Sequence, residues 1–218
     1  MGARVSRTGE FDNRTVLIAG AGCNAGALLG RFYAGVGARV VLVDREEPAM
    51  LNIARRQPSR IDTLRLDLRR PALCRRLGEI WDNEPLHVLV HLQLLVRTSQ
   101  QGAALASVEA LTLALAPALA GRGRVLAVFA APRTRDEAGR DGAGAAARAM
   151  RAALEHLPRA LQDRLGGQGI TVNALRLPAE DDAGPARGAD VIRAAVFLTR
   201  PGGARVGGAV LPLLPRAD

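Results

Sequence analysis

The segment Gly20-Ala21-Gly22-Cys23-Asn24-Ala25-Gly26 joins a short apolar run to a helical pattern. Glycines placed there let a tight turn bring backbone amides up to a pyrophosphate at a helix N-terminus, where the helix dipole favours negative charge. A second apolar run ends at Asp44, about 20 residues further on, where a carboxylate accepts hydrogen bonds from both hydroxyls of a ribose. The same carboxylate repels a 2′-phosphate, so the cofactor expected is NAD in preference to NADP, with Arg45 next door weakening that preference. The plainer alternative is a structural turn that holds no nucleotide. Cys23 sits where a helix N-terminus lowers a thiol pKa and makes it reactive, although a small residue without a role is the ordinary reading.

These residues have to be positioned by strands and helices. Apolar and β-branched runs at 15–19, 38–43, 62–66, 87–92, 124–129, 170–175 and 209–212 read as strands. Helical patterns lie between them at 25–35, 46–56, 71–81, 103–119, 143–165 and 190–199. Alternation of this kind predicts parallel βαβ units, and so one α/β, Rossmann-type, doubly wound domain of about seven strands over 13–218, behind a flexible polar lead at 1–12. Segments 132–144 and 178–188, rich in Pro, Gly, Arg and Asp, read as loops. No internal repeat occurs at a fixed period.

The chain resembles the short-chain dehydrogenase/reductase family over nearly its whole length. That family's cofactor loop carries glycines at its first, fifth and seventh places, where this sequence has Gly20, Asn24 and Gly26. Asparagine is the non-glycine residue that best tolerates positive φ, so the turn is expected to survive while the side chain crowds the phosphates. Asp67-Leu68 is similar to the family's adenine-side Asp-Val pair, and Gly169-Ile170-Thr171-Val172-Asn173 to its Gly-Ile-Arg-Val-Asn strand. The stretch 190–212 is similar to its last helix and strand. The resemblance implies a cofactor site at Gly20, Gly22, Asn24, Gly26, Asp44, Asp67 and Leu68.

It also implies a catalytic tyrosine, a lysine four residues later, a serine and a helical asparagine, and none of these is found in place. The one tyrosine is Tyr33, inside the first helix after the glycine loop, and all 30 basic residues are arginine. Alignment without a gap from Leu157 to Asn173 puts Ala147 at the tyrosine position and Arg151 at the lysine position. Ala130 stands for the serine and Ala104 for the asparagine, while His91-Leu92-Gln93-Leu94 replaces the family's Asn-Asn-Ala-Gly. An arginine stays protonated and hands over no proton. His91 is the substitute to weigh, since an imidazole serves as general acid near neutral pH. As a metal ligand it pairs poorly with His87, which shares one strand face with it, so no metal site is expected. His156, on the long helix, reads as a packed or surface side chain.

Loss of the acid/base groups with the fold pattern kept points to a pseudoenzyme: a non-catalytic subunit, nucleotide sensor or scaffold. An NAD(P)-dependent oxidoreductase acting through residues such as His91 is the alternative. The alanine-rich helices 103–119 and 143–165, which the family uses to pair subunits, are the expected interface for a homo-oligomer or for a hetero-oligomer with a catalytically intact relative. In the second helix Met150, Leu154, Leu157 and Leu161 recur at helical spacing, which also suits an interior face. The formal charge of +9 and the arginines from Arg55 to Arg76 raise a polyanion binder as a third reading, weakened by Asp62, Asp67 and Glu79 among them and by the lack of aromatic interleaving. No apolar run is long enough to span a bilayer, the N-terminal residues lack an apolar leader core, and Cys23 and Cys74 show no metal or redox spacing, so a cytoplasmic setting is expected.

Overall fold

The computed structural model describes residues 9–81, 84–96, 98–130, 142–178, 187–201 and 206–214. Seven strands form one sheet: β1 (Thr15–Ala19), β2 (Arg39–Asp44), β3 (Ile61–Arg65), β4 (Val88–His91), β5 (Arg124–Ala130), β6 (Thr171–Leu177) and β7 (Val210–Pro212). Every pairing is parallel, in the order β3-β2-β1-β4-β5-β6-β7. The strand order reverses between β1 and β4, and a crevice opens at the carboxyl ends of strands at such a point. This is the α/β, doubly wound architecture the alternating pattern predicts.

Helices cover both faces, which is why the inner strands β1, β4 and β5 are almost continuously apolar, whereas the edge strand β3 (IDTLR) is not. Val16 and Ile18 face a core shared with Leu29 and Tyr33 of α1 (Asn24–Gly35), Met50 of α2 (Glu47–Ala54) and Leu198 of α7 (Arg187–Thr199). Leu17 and Ala19 face the opposite core, with Leu77 of α3 (Pro71–Ile80), Leu111 of α4 (Thr98–Ala114) and Leu161 of α6 (Gly142–Leu165). The helix expected at 103–119 starts earlier and is broken near its end. Pro117 offers no N–H to continue the ladder, so α4 stops at Ala114 and a single turn, α5 (Ala116–Leu119), follows.

The lead expected to be flexible is anchored at its end. Phe11 is fully buried against Tyr33, with ring centroids 5.1 Å apart in an edge-on arrangement, and its N–H donates to the Val36 carbonyl. Residues 1–8 of that lead lie outside the described residues, as do 132–141 and 179–186 of the two expected loops. The first of those loops ends sooner than expected, because α6 already begins at Gly142. Among the described residues no helix is long and apolar enough to cross a membrane.

Candidate functional site

The glycine loop lies at the β1/β4 reversal because two of its glycines permit contacts that a side chain forbids. Gly20 has φ +79°, and a Cβ there would stand 2.8 Å from the Gln93 nitrogen at the end of β4. At Gly26 a Cβ would collide with the carbonyl of Ala21, so the first turn of α1 closes directly onto the loop. Asp44 ties the loop to β2: the Gly22 N–H donates to its Oδ2 at 2.9 Å and the Glu46 N–H to its Oδ1 at 3.1 Å. The carboxylate expected to hold a ribose therefore also holds the loop that faces it.

Asn24 departs from expectation. Among the described residues Asn13 is the only non-glycine with positive φ. Asn24 is instead the first residue of α1, with ordinary backbone and an exposed side chain. The substitution for glycine costs no strain there, and the amides of Asn24, Ala25 and Gly26 precede the first intrahelical bond, from Ala27 N–H to Cys23 O. Cys23 also differs from the reactive reading. Burial pushes its thiol pKa up, against smaller downward pulls from the Gly26 and Ala25 amides, and the thiol donates weakly to the Gly20 carbonyl at 3.5 Å. Cys74 is buried too, its pKa pushed up to about 11 mainly by desolvation.

Above the loop lies a cavity of about 490 Å³. Gly20, Gly22 and Asp44 form its floor, and Asp67 and Leu68 one wall. Gln93, Ala104 and Ser107 form the facing wall. Arg45 and Arg69 also line it. The sequence had pointed to seven of these residues, and Gln93, Ser107 and Arg69 were missed as contributors. Asp67 is engaged within the protein: Arg69 bonds both its oxygens, at 2.9 and 3.0 Å, and this ion pair holds the carboxyl pKa down to about 2.

Two polar atoms on the facing wall are buried without a protein partner, Gln93 Nε2 and Ser107 Oγ. Their residues are 8% and 1% exposed. The other end of the Gln93 carboxamide lies 2.8 Å from His91 Nδ1. His91 itself is fully buried, and its Nε2 is 2.8 Å from Thr112 Oγ1. Desolvation pulls its pKa down to about 4, so the ring is neutral at pH 7, and both nitrogens are engaged within the protein. The other strand-four histidine, His87, lies just before β4, where its Nδ1 accepts the Thr15 N–H at 3.0 Å. No group of three or more metal-ligating side chains occurs among the described residues.

The positions aligned with the family's acid/base machinery do not share the cavity wall, apart from Ala104. Ala130 ends β5, and Ala147 is buried on α6. Arg151 Nε pairs with Glu155 Oε1 at 3.0 Å, and Arg176 Nη1 reaches the same oxygen at 2.8 Å. Around them lies a dry cluster that includes Leu94, Val108, Phe129 and Leu154, all four fully buried. Leu94 stands where the resembling family has the last glycine of Asn-Asn-Ala-Gly, a departure visible in the sequence whose packing consequence was not. Tyr33 is remote from all of this: its hydroxyl meets Thr199 Oγ1 at 2.7 Å in the core, where burial raises its pKa.

No family model matches the sequence, and no curated protein matches it in sequence. Solved structures do match its fold. A hydroxysteroid dehydrogenase from Escherichia coli is 19% identical with a TM-score of 0.76, covering 95% of this chain and 98% of its own. The RhlG/NADP active-site complex of Pseudomonas aeruginosa is 22% identical with a TM-score of 0.75, covering 94% and 96%. BdcA (YjgI) from E. coli is 20% identical with a TM-score of 0.72, covering 94% and 100%. The chain therefore has the fold of the short-chain dehydrogenases/reductases, over nearly its whole length.

Proposed function

We propose that this chain is a degenerate relative of the short-chain dehydrogenases/reductases that binds a nucleotide and performs no hydride transfer, acting as a nucleotide-responsive or scaffolding subunit. The observation that supports this most is the division of the site. A glycine loop, Asp44 and a cavity of about 490 Å³ persist, while Ala104, which lines that cavity, and Ala130, Ala147 and Arg151, which do not, occupy the four positions aligned with the family's catalytic side chains. NAD is the cofactor favoured over NADP by the Asp44 carboxylate, with Arg45 and Arg69 reducing the margin through their attraction for a 2′-phosphate. Pairing with itself or with a catalytically intact relative through α4 and α6 completes the reading.

An oxidoreductase working through His91 stands second. It needs a ring that meets a substrate and carries a proton near neutral pH, against full burial and a pKa near 4. Polyanion binding stands third, since arginines of the 55–76 stripe pair with their own carboxylates, Arg69 with Asp67 and Arg76 with Glu79. The test is turnover over a broad panel of carbonyls and alcohols with both nicotinamide cofactors. The expected result is none; turnover that disappears in His91→Ala would establish the second reading. Native mass spectrometry of the protein from its own host is expected to show bound nucleotide, partner subunits, or both, and a bare monomer would remove the proposed roles. Duplex DNA that binds with a steep salt dependence would favour the third reading.

A further inference from the structure

We infer that the protein carries a second ligand site, at the amino edge of the sheet and away from the glycine loop, for an oxyanion the size of phosphate, free or as the terminal phosphoryl group of a small ester. The site is independent of the nucleotide reading above, and each can fail without the other.

The hydrogen-bond register of three neighbouring strands brings the cations together. The His87 N–H donates to the Thr15 carbonyl and the Arg124 N–H to the His87 carbonyl, so the starts of β1, β4 and β5 lie side by side. Arg14 immediately precedes β1, His87 precedes β4, and Arg122 and Arg124 lie at the start of β5. All four line a small cavity of about 90 Å³, with Phe11 and Val88 as its apolar wall. That volume is roughly that of three water molecules, which suits a tetrahedral oxyanion and is too small for a nucleotide.

Among the described residues no carboxylate lines this cavity, and none pairs with the side chain of Arg14 or Arg122. Arg69 and Arg76, by contrast, are answered by neighbouring acids. Arg124 donates to Thr171 Oγ1 at 3.2 Å and adds its charge. His87 accepts the Thr15 N–H at Nδ1, which leaves the proton of the neutral ring on Nε2 as a donor. Arg14 is felt at that ring: after desolvation, its positive charge is the second cause that lowers the imidazole pKa. Like charges gathered beside apolar walls repel one another, and guanidinium groups match the oxygens of a phosphate. The remaining polar side chain of the lining, Thr199, is committed to Tyr33 and the Ala195 carbonyl, so recognition falls to the cations. An anion held there bridges the N-terminal lead, the starts of β4 and β5 and the end of α7, segments far apart in sequence, and so stabilises the folded chain.

The experiment is titration of the full chain with inorganic phosphate, followed by the His87 ring resonances and by thermal melts, against sodium chloride of matched ionic strength. Phosphate is expected to shift the His87 signals saturably and to raise the melting temperature above that in matched chloride. Arg14→Gln and Arg122→Gln are each expected to weaken phosphate at least about tenfold, the loss of a charge-assisted hydrogen bond. Both should leave the free protein's melting temperature unchanged or raised, because each removes one of several like charges. Arg56→Gln, which removes an exposed cation elsewhere, should leave phosphate binding unchanged. Glycerol 3-phosphate bound at least as tightly as phosphate would assign the site to a phosphoryl ester, and binding weaker by about tenfold would assign it to the free ion. Equal effects of matched chloride would reduce the cluster to general charge screening and overturn the inference. Undiminished phosphate binding in Arg14→Gln and Arg122→Gln would overturn it too, as would duplex DNA that displaces phosphate from His87, in favour of the polyanion reading.

Discussion

The two ends of the crevice above the sheet differ in whether their polar atoms are paired. At the glycine-loop end, Gln93 and Ser107 line the cavity and each carries a buried polar atom without a hydrogen-bond partner. At the other end the charged side chains of Arg151, Glu155 and Arg176 satisfy one another, and Leu94 and Phe129 lie in a dry cluster. Unsatisfied buried polarity lowers the stability of the free protein, and a ligand can offset that loss. Internal pairing and apolar filling favour the free protein. The contrast teaches that the aligned positions depart from the resembling family in packing as well as in side-chain identity: Leu94 and Phe129 beside them are core.

The sharpest way to break the glycine-loop end is at Gly26. Valine there would drive its Cβ into the Ala21 carbonyl, a backbone contact that no rotamer relieves. Gly26→Val is expected to destabilise by more than about 4 kcal/mol or to prevent folding, read by urea unfolding monitored by circular dichroism. Gly20→Ala strains the same turn through its positive φ and its approach to Gln93, and a smaller loss is expected. At the opposite end, Leu94→Ala is expected to cost about 2–5 kcal/mol, as truncation of a buried leucine does. Nucleotide affinity should survive in the folded fraction. Equal loss of affinity in Leu94→Ala would show that the two ends are not separable.

The junction between the ends titrates. His91 has its pKa pulled from the ordinary 6.5 to about 4, chiefly by desolvation. Between those values the unfolded chain binds a proton that the folded protein refuses, so stability falls as pH drops from about 6.5 to 4 and is unaffected by this group above that window. The full effect is about 3 kcal/mol at the acid limit. Denaturant titrations at pH 7.5 and 4.5, compared with His91→Leu, isolate it: the variant should lose the slope. Asp67 adds a second decline below about pH 4, since its folded carboxyl is held down to about 2 by Arg69, but the pair is mostly exposed and contributes under about 1 kcal/mol.

Most of the scaffold was legible because parallel strands buried on both faces are written as continuous apolar runs. The β1 run TVLIA and the β2 run RVVLVD each lie between turn residues and helical patterns, and the observed strands begin and end within two residues of the expected ones. The floor of the cavity was legible for a related reason: Gly20 and Gly22 belong to a turn fixed by local sequence, and Asp44 follows at the end of the next strand, where its carboxylate holds that turn. What escaped was set by tertiary neighbours. Whether Asp67 is free depends on the rotamer of Arg69, and the value of Gln93 and Ser107 lies in partners they do not have. Phe11 looked like part of a polar lead until Tyr33 offered it an aromatic edge in the core.

The smallest expected effect is also the one that tests the comparison most directly. Arg151→Lys restores the lysine that the resembling family carries. The arginine now makes a part-exposed pair with Glu155 one helical turn away, an arrangement worth about 0.3–0.5 kcal/mol, and a lysine can keep a single bond to the same oxygen. Arg176 continues to satisfy Glu155 in either case. Stability should therefore change by less than about 0.5 kcal/mol, below the resolution of most melts. Turnover should also remain absent, because a lysine at this place works by lowering the pKa of a phenol, and Ala147, buried within the same helix, offers none. Detectable hydride transfer in Arg151→Lys alone would mean that some other group donates the proton. His91, despite its burial, would then be the first residue to examine.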